Sequence, residues 1–85
     1  MKEIRSIKMY SAQICLERIN ILRKRKNNVT IEVMLKDANL NPSTIDNIRR
    51  NRKPSIDKLM ELADYFDCSI DYLVGRTDNP DMNRK

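Results

Sequence analysis

Between positions 43 and 53 the chain carries side chains suited to gripping a polar surface: Ser43, Thr44, Asp46 and Asn47, then Arg49, Arg50, Arg52 and Lys53. The first four are short donors and acceptors, and the last four are cations. None of them forms an evident nucleophile–base pair, and the chain has no histidine. The chemistry on offer is hydrogen bonding to polar edges beside neutralisation of an anion, not bond breaking. If the run is helical, a step of about 100° per residue puts Ser43, Asp46, Asn47 and Arg50 on one side, Ile45 and Ile48 on the other, and Thr44 at the border. Such a helix buries two isoleucines and presents a polar comb with a cationic end. That pattern suits a helix lying in the major groove of a duplex, between phosphates.

Two helices and a tight turn, over residues 30–51, must position the comb. Thr30 is a good N-cap because its hydroxyl can accept from a free N–H of the first turn. Val33, Met34, Leu35 and Ala38 follow at helical spacing. Asn39 tolerates the left-handed conformation that ends a helix. Leu40 is the expected apolar plug of the turn. Asn41 is a preferred cap and Pro42 fits a first helical position, so the second helix is predicted over residues 42–50.

The flanking segments read as further helices. The first is predicted over residues 11–26, with Ala12, Cys15, Leu16, Ile19 and Leu22 as its apolar stripe and Arg23, Lys24, Arg25 and Lys26 at its end. Asn27 and Asn28 stop it, and Val29 anchors the connection. Ser55 caps a helix to about Phe66 whose stripe is Ile56, Leu59, Met60, Leu62, Ala63 and Phe66. Ser69 opens a short last helix, Ile70 to Val74, closed by Gly75. The expected core is Ile19, Leu22, Val29, Met34, Ala38, Leu40, Ile45, Ile48, Leu59, Leu62, Ala63, Phe66, Ile70 and Leu73. Residues 1–10 are expected to be an arm, 11–75 the domain, and 76–85 a loose tail. Lys2, Arg5 and Lys8 would allow the arm to lie along DNA.

These residues together resemble the lambda-repressor-like, xenobiotic-response-element class of helix-turn-helix regulators. The resemblance rests on Thr30-Ile31, on Asn39-Leu40-Asn41 and on Ser43-Thr44-Ile45 with Ile48. It extends to Glu17-Arg18-Ile19 and Leu22-Arg23 upstream, and from Pro54-Ser55 through Leu73-Val74-Gly75 downstream. It implies an all-α, five-helix domain and a sequence-specific transcriptional regulator, a repressor by analogy, acting on double-stranded DNA. The chain departs from the family pattern at Ile31, where a glutamine is usual, and at Leu35, where a small residue is usual. It departs again at Asn39, where glycine is usual, and at Pro42, which offers no donor at a position that often reads a base.

The expected base contacts are Ser43, Thr44, Asp46 and Asn47. The expected phosphate contacts are Asn41, Arg50, Asn51, Arg52 and Lys53. A motif of this size covers one half-site, so a homodimer on DNA is expected, with Leu73, Val74 and Met82 as the candidate surface.

Composition supports an anionic partner. The formal charge is +5 over 85 residues. It is unevenly placed: thirteen Lys and Arg stand against five acids before Pro54, and four against seven from Pro54 onward. Cys15 and Cys68 are too few for a zinc site or a disulfide scaffold and read as buried thiols. A single glycine excludes a glycine-rich phosphate loop. No metal or cofactor is implied. Tyr10, Tyr65 and Tyr72 are too scattered to form a base-stacking platform and read as core-edge residues with solvated hydroxyls. No apolar run reaches membrane length and no leader pattern is present, so a cytoplasmic protein is expected. Carboxylates spread over separate helices make an enzyme the weakest class. The alternative is a protein-binding module, antitoxin-like or inhibitory, that kept the fold and lost DNA reading, a reading favoured by Ile31 and Pro42.

Overall fold

The computed structural model describes residues 11–81. Five helices run in order: α1 Ala12–Arg25, α2 Ile31–Asp37, α3 Thr44–Arg49, α4 Ile56–Phe66 and α5 Ile70–Leu73. Among the described residues there is no strand. The expected all-α, five-helix architecture is therefore present. The expected arm, residues 1–10, and the last tail residues, 82–85 with Met82, lie outside the described residues.

Side-chain caps start four of the helices. The hydroxyls of Ser11, Thr30, Ser55 and Ser69 accept from the N–H of Ile14, Val33, Lys58 and Tyr72 at 3.1, 3.1, 3.4 and 3.0 Å. Such a cap contributes about 1 kcal/mol. Helix ends are made by residues in the left-handed region: Asn27 and Asn28 after α1, Asn39 after α2, Asn51 after α3 and Asp67 after α4. Asn and Asp visit that region at less cost than other residues with a side chain.

Helix α3 starts later than its sequence implies. Pro42 and Ser43 lie in the preceding turn, and the helix opens at Thr44. Asn41 sets this boundary. Its Oδ1 accepts from both the N–H and the hydroxyl of Ser43, at 2.9 and 2.7 Å. Its backbone carbonyl accepts from the N–H of Thr44 at 2.9 Å, closing a turn one residue tighter than an α-helical one. Helical bonding begins only with the N–H of Asn47 donating to the carbonyl of Ser43.

The core lies where α1 meets α3 and α5, and where α5 meets α4. Ile19, Met34, Leu62 and Leu73 are fully enclosed. Each such side chain stabilises the fold by roughly 1.5–3 kcal/mol through area removed from water. Of the expected core, Val29, Leu40, Phe66 and Ile70 are only half-buried. Tyr72, expected at the core edge, is buried beneath the Arg18 guanidinium, which sits 4.3 Å from its ring centre. Three residues assigned to apolar stripes face solvent instead: Val33, Ile56 and Met60. On α4 the inward side is set by Leu59, Leu62 and Ala63, and Ile56 and Met60 are rotated off it. Both cysteines are buried free thiols. Burial, with Asp67 nearby, pushes the Cys68 thiol up to about 11, so it stays protonated at neutral pH.

Gly75 follows α5 at φ +86, and a Cβ there would stand 2.8 Å from Cγ2 of Ile14. Only glycine combines that backbone with that approach to α1. Residues 76–81 have no helix but are tied to the domain. Arg18 donates to the Thr77 carbonyl at 3.2 Å and to Asp78 at 3.0 Å. The N–H of Ser69 donates to the Pro80 carbonyl at 2.9 Å.

Candidate nucleic-acid interface

The fold presents α3 with one side enclosed and one side open. Thr44, Ile45 and Ile48 are buried, while Asp46, Arg49 and Arg50 are exposed and Asn47 is half-buried. The buried set corrects the expected role of Thr44. It is 1% exposed, and its hydroxyl oxygen is enclosed with no hydrogen-bond partner. A side chain in that position cannot reach a base edge. On the helical projection Thr44 sits at the border, and the fold puts it on the inner side.

The other expected contacts are at the surface but are not equivalent. Ser43 is exposed, yet its hydroxyl proton already goes to Asn41, so it faces a partner as an acceptor. Asn41 has its carbonyl oxygen committed to Ser43 twice, while its amide N–H groups remain available to a phosphate. Asp46 lies 3.6 Å from the Arg49 guanidinium in an exposed pair, which binds weakly and can open. The side chains of Asn47, Arg50 and Arg52 make no hydrogen bond or ion pair within the described residues. Lys53 is exposed as well.

Asn47, Arg52 and Lys53 come together along a groove of about 240 Å³. Thr44 and Ile48 form its α3 wall, and Pro54, Ser55 and Lys58 form the wall where α4 begins. No carboxylate lines it. Three cations converge there, and the positive end of the α4 dipole adds to them. The N–H groups of Ile56 and Asp57, in the first turn of α4, have no acceptor within the helix.

Asn51 lies apart from this groove. It borders a separate shallow hollow with Gln13, Leu16, Ile48 and Arg49. Its visible task is conformational: with φ +68 it ends α3, and its N–H donates to the Ile48 carbonyl at 2.9 Å. Lys58 lines the groove although it is absent from the contacts expected from sequence. Its signal was its place three residues after the cap Ser55, in the first turn of α4 and so at the same end as Lys53.

Among the described residues no group of three or more His, Cys, Asp or Glu could hold a metal ion, and no helix is long and apolar enough to cross a membrane. Residues 19–73, most of the chain, match the helix-turn-helix family. The chain belongs to the lambda-repressor-like helix-turn-helix family. In this helix-turn-helix domain α2 and α3 are the motif, and Asn39 is its turn. The domain is 35% identical over 66 residues to the uncharacterized HTH-type transcriptional regulator YobD of Bacillus subtilis (strain 168). That match covers 76% of this chain and 58% of the relative, so the chain spans little more than half of the relative's length. No solved structure matches the chain.

Proposed function

We propose that this helix-turn-helix protein is a sequence-specific, duplex-DNA-binding transcriptional regulator that represses a bacterial, phage or mobile-element promoter. The supporting observation is the groove at the exit of α3, where Arg52, Lys53 and Lys58 converge beside Asn47, whose side chain has no partner among the described residues. With α3 in the major groove, Asn47 reads a base, its amide donating and accepting at once as adenine requires. Ser43 accepts from a base edge, and Asp46 accepts from a cytosine amino group once released from Arg49. Arg50, Arg52, Lys53, Lys58 and the Asn41 amide hold phosphates. Two copies on a pseudo-palindrome supply useful affinity. Occupying a promoter in this way excludes other proteins sterically, which is the simplest output of a domain this small.

Selection of bound sequences from random duplexes tests the reading. An enriched motif with two half-sites about one helical turn apart is the expected result. No enrichment, together with elution from heparin at low salt, would transfer the protein to the rival class of protein-binding modules.

A further inference from the structure

A single carboxylate stands among the cations of the motif. Between positions 38 and 56 the only acid is Asp46, set against Arg49, Arg50, Arg52 and Lys53. On the outward side of α3 its charge is repelled by phosphates, and by the acceptor atoms that base edges present in the major groove. Its place in the first turn of α3 suits the helix dipole. The dipole does not explain which cation it meets. Arg50 is four residues on and about 40° away around the helix, the spacing and order that favour an ion pair. Asp46 pairs instead with Arg49, 3.6 Å away, and Arg50 makes no ion pair within the described residues.

This choice of partner has two consequences. It cancels the Asp46 charge while α3 approaches a polyanion, and it leaves Arg50 for the phosphates. Both side chains of the pair are open to solvent, at 54% for Arg49 and 67% for Asp46, so the pair is held weakly. A base-edge amino group, such as N4 of cytosine, donates to a carboxylate at closer range and away from bulk water, and so displaces the guanidinium. An edge that offers only acceptors cannot do this, and there the pair stays closed.

We propose that the Asp46–Arg49 pair is a specificity gate on α3. It is closed in the free protein and on unmatched duplex, and it is opened by an amino group on the base edge that faces Asp46. Arg49 is then a positioning residue that sets the selectivity, because a matched site must break the pair before Asp46 can accept. The gate rests on the DNA-binding reading and gives each member of the pair an effect of opposite sign. Without Arg49, matched binding no longer breaks a pair, and Asp46 is unmasked on unmatched duplex, so selectivity rises. Without the Asp46 charge, unmatched duplex is no longer repelled and matched duplex loses its acceptor, so selectivity falls.

The experiment is a double-mutant cycle of Asp46→Asn and Arg49→Gln, titrated against the selected duplex and a scrambled one at one salt concentration. The quantity read is the ratio of the two affinities. Asp46→Asn should narrow the ratio about fivefold or more and bind the scrambled duplex at least as tightly as wild type. Arg49→Gln should widen the ratio about twofold or more. Added to Asp46→Asn, Arg49→Gln should leave the ratio where it was. A guanidinium that only holds a phosphate would weaken both duplexes equally in either background. A carboxylate that only serves the helix dipole would leave the ratio unchanged in Asp46→Asn and lower thermal stability. Either result would overturn the gate. Wild type that prefers neither duplex would sink the DNA-binding reading itself, and the gate with it, so the wild-type arm tells the two failures apart.

Discussion

The turn that enters α3 and the turn that leaves it are both polar and both contain asparagine, yet they use their side chains differently. At the entrance Asn41 accepts from the Ser43 N–H and hydroxyl, so side chains build the turn. At the exit the backbone closes the chain. The N–H groups of Arg50, Asn51 and Arg52 donate to the carbonyls of Asp46 and Asn47, of Ile48, and of Asn47. The left-handed Asn51 absorbs the change of direction, and Arg50 and Arg52 have no side-chain partner among the described residues. In the proposed reading the entrance positions α3 and the exit grips the partner. A side chain already bonded inside the protein has less to offer a ligand, which is why the polar residues of one short motif divide into these two roles.

Variants can break or sharpen this division. The largest effect belongs to the buried residue beneath α3. Ile48→Ala should cost about 2–5 kcal/mol in thermal or denaturant unfolding, because it removes core volume beneath α3. Asn41→Ala should cost about 1 kcal/mol of stability and weaken binding to every duplex, since the entrance loses both of its side-chain bonds. If its stability were unchanged, the entrance would not be a positioning device. Thr44→Val should gain up to about 1 kcal/mol, because it removes a buried hydroxyl with no partner, and should leave the selected DNA motif intact. A changed motif would restore Thr44 as a base contact. Arg52→Ala should leave stability within about 0.5 kcal/mol and reduce the salt dependence of binding by about one phosphate contact. A destabilised Arg52→Ala would show that the exit is structural too.

The helices and their caps were legible in sequence because both are local. Thr30, Ser55 and Ser69 each sit one residue before an apolar repeat, and Asn27 and Asn39 mark ends. What was not legible came from contacts between distant segments. Thr44 lay at the border of the α3 projection, and only tertiary packing put it inside. Ile56 and Met60 fit an apolar period as well as Leu59 and Leu62 do, and periodicity cannot say which of two adjacent stripes meets the core. Asn51 was read by its side chain, while its backbone conformation carries its role. Arg18 and Tyr72 form their stacked pair only after α5 returns to α1.

The central claim, that the outer side of α3 reads bases while its exit holds phosphates, is tested most directly by one paired titration. Wild type, Asn47→Ala and Arg50→Ala are titrated against the selected duplex and a scrambled one at several salt concentrations. Asn47→Ala should lose roughly 1–3 kcal/mol on the selected duplex only, with the salt slope little changed. Arg50→Ala should weaken both duplexes about equally and lower the slope by about one contact. Equal losses on both duplexes for Asn47→Ala, or no loss at all, would contradict the account.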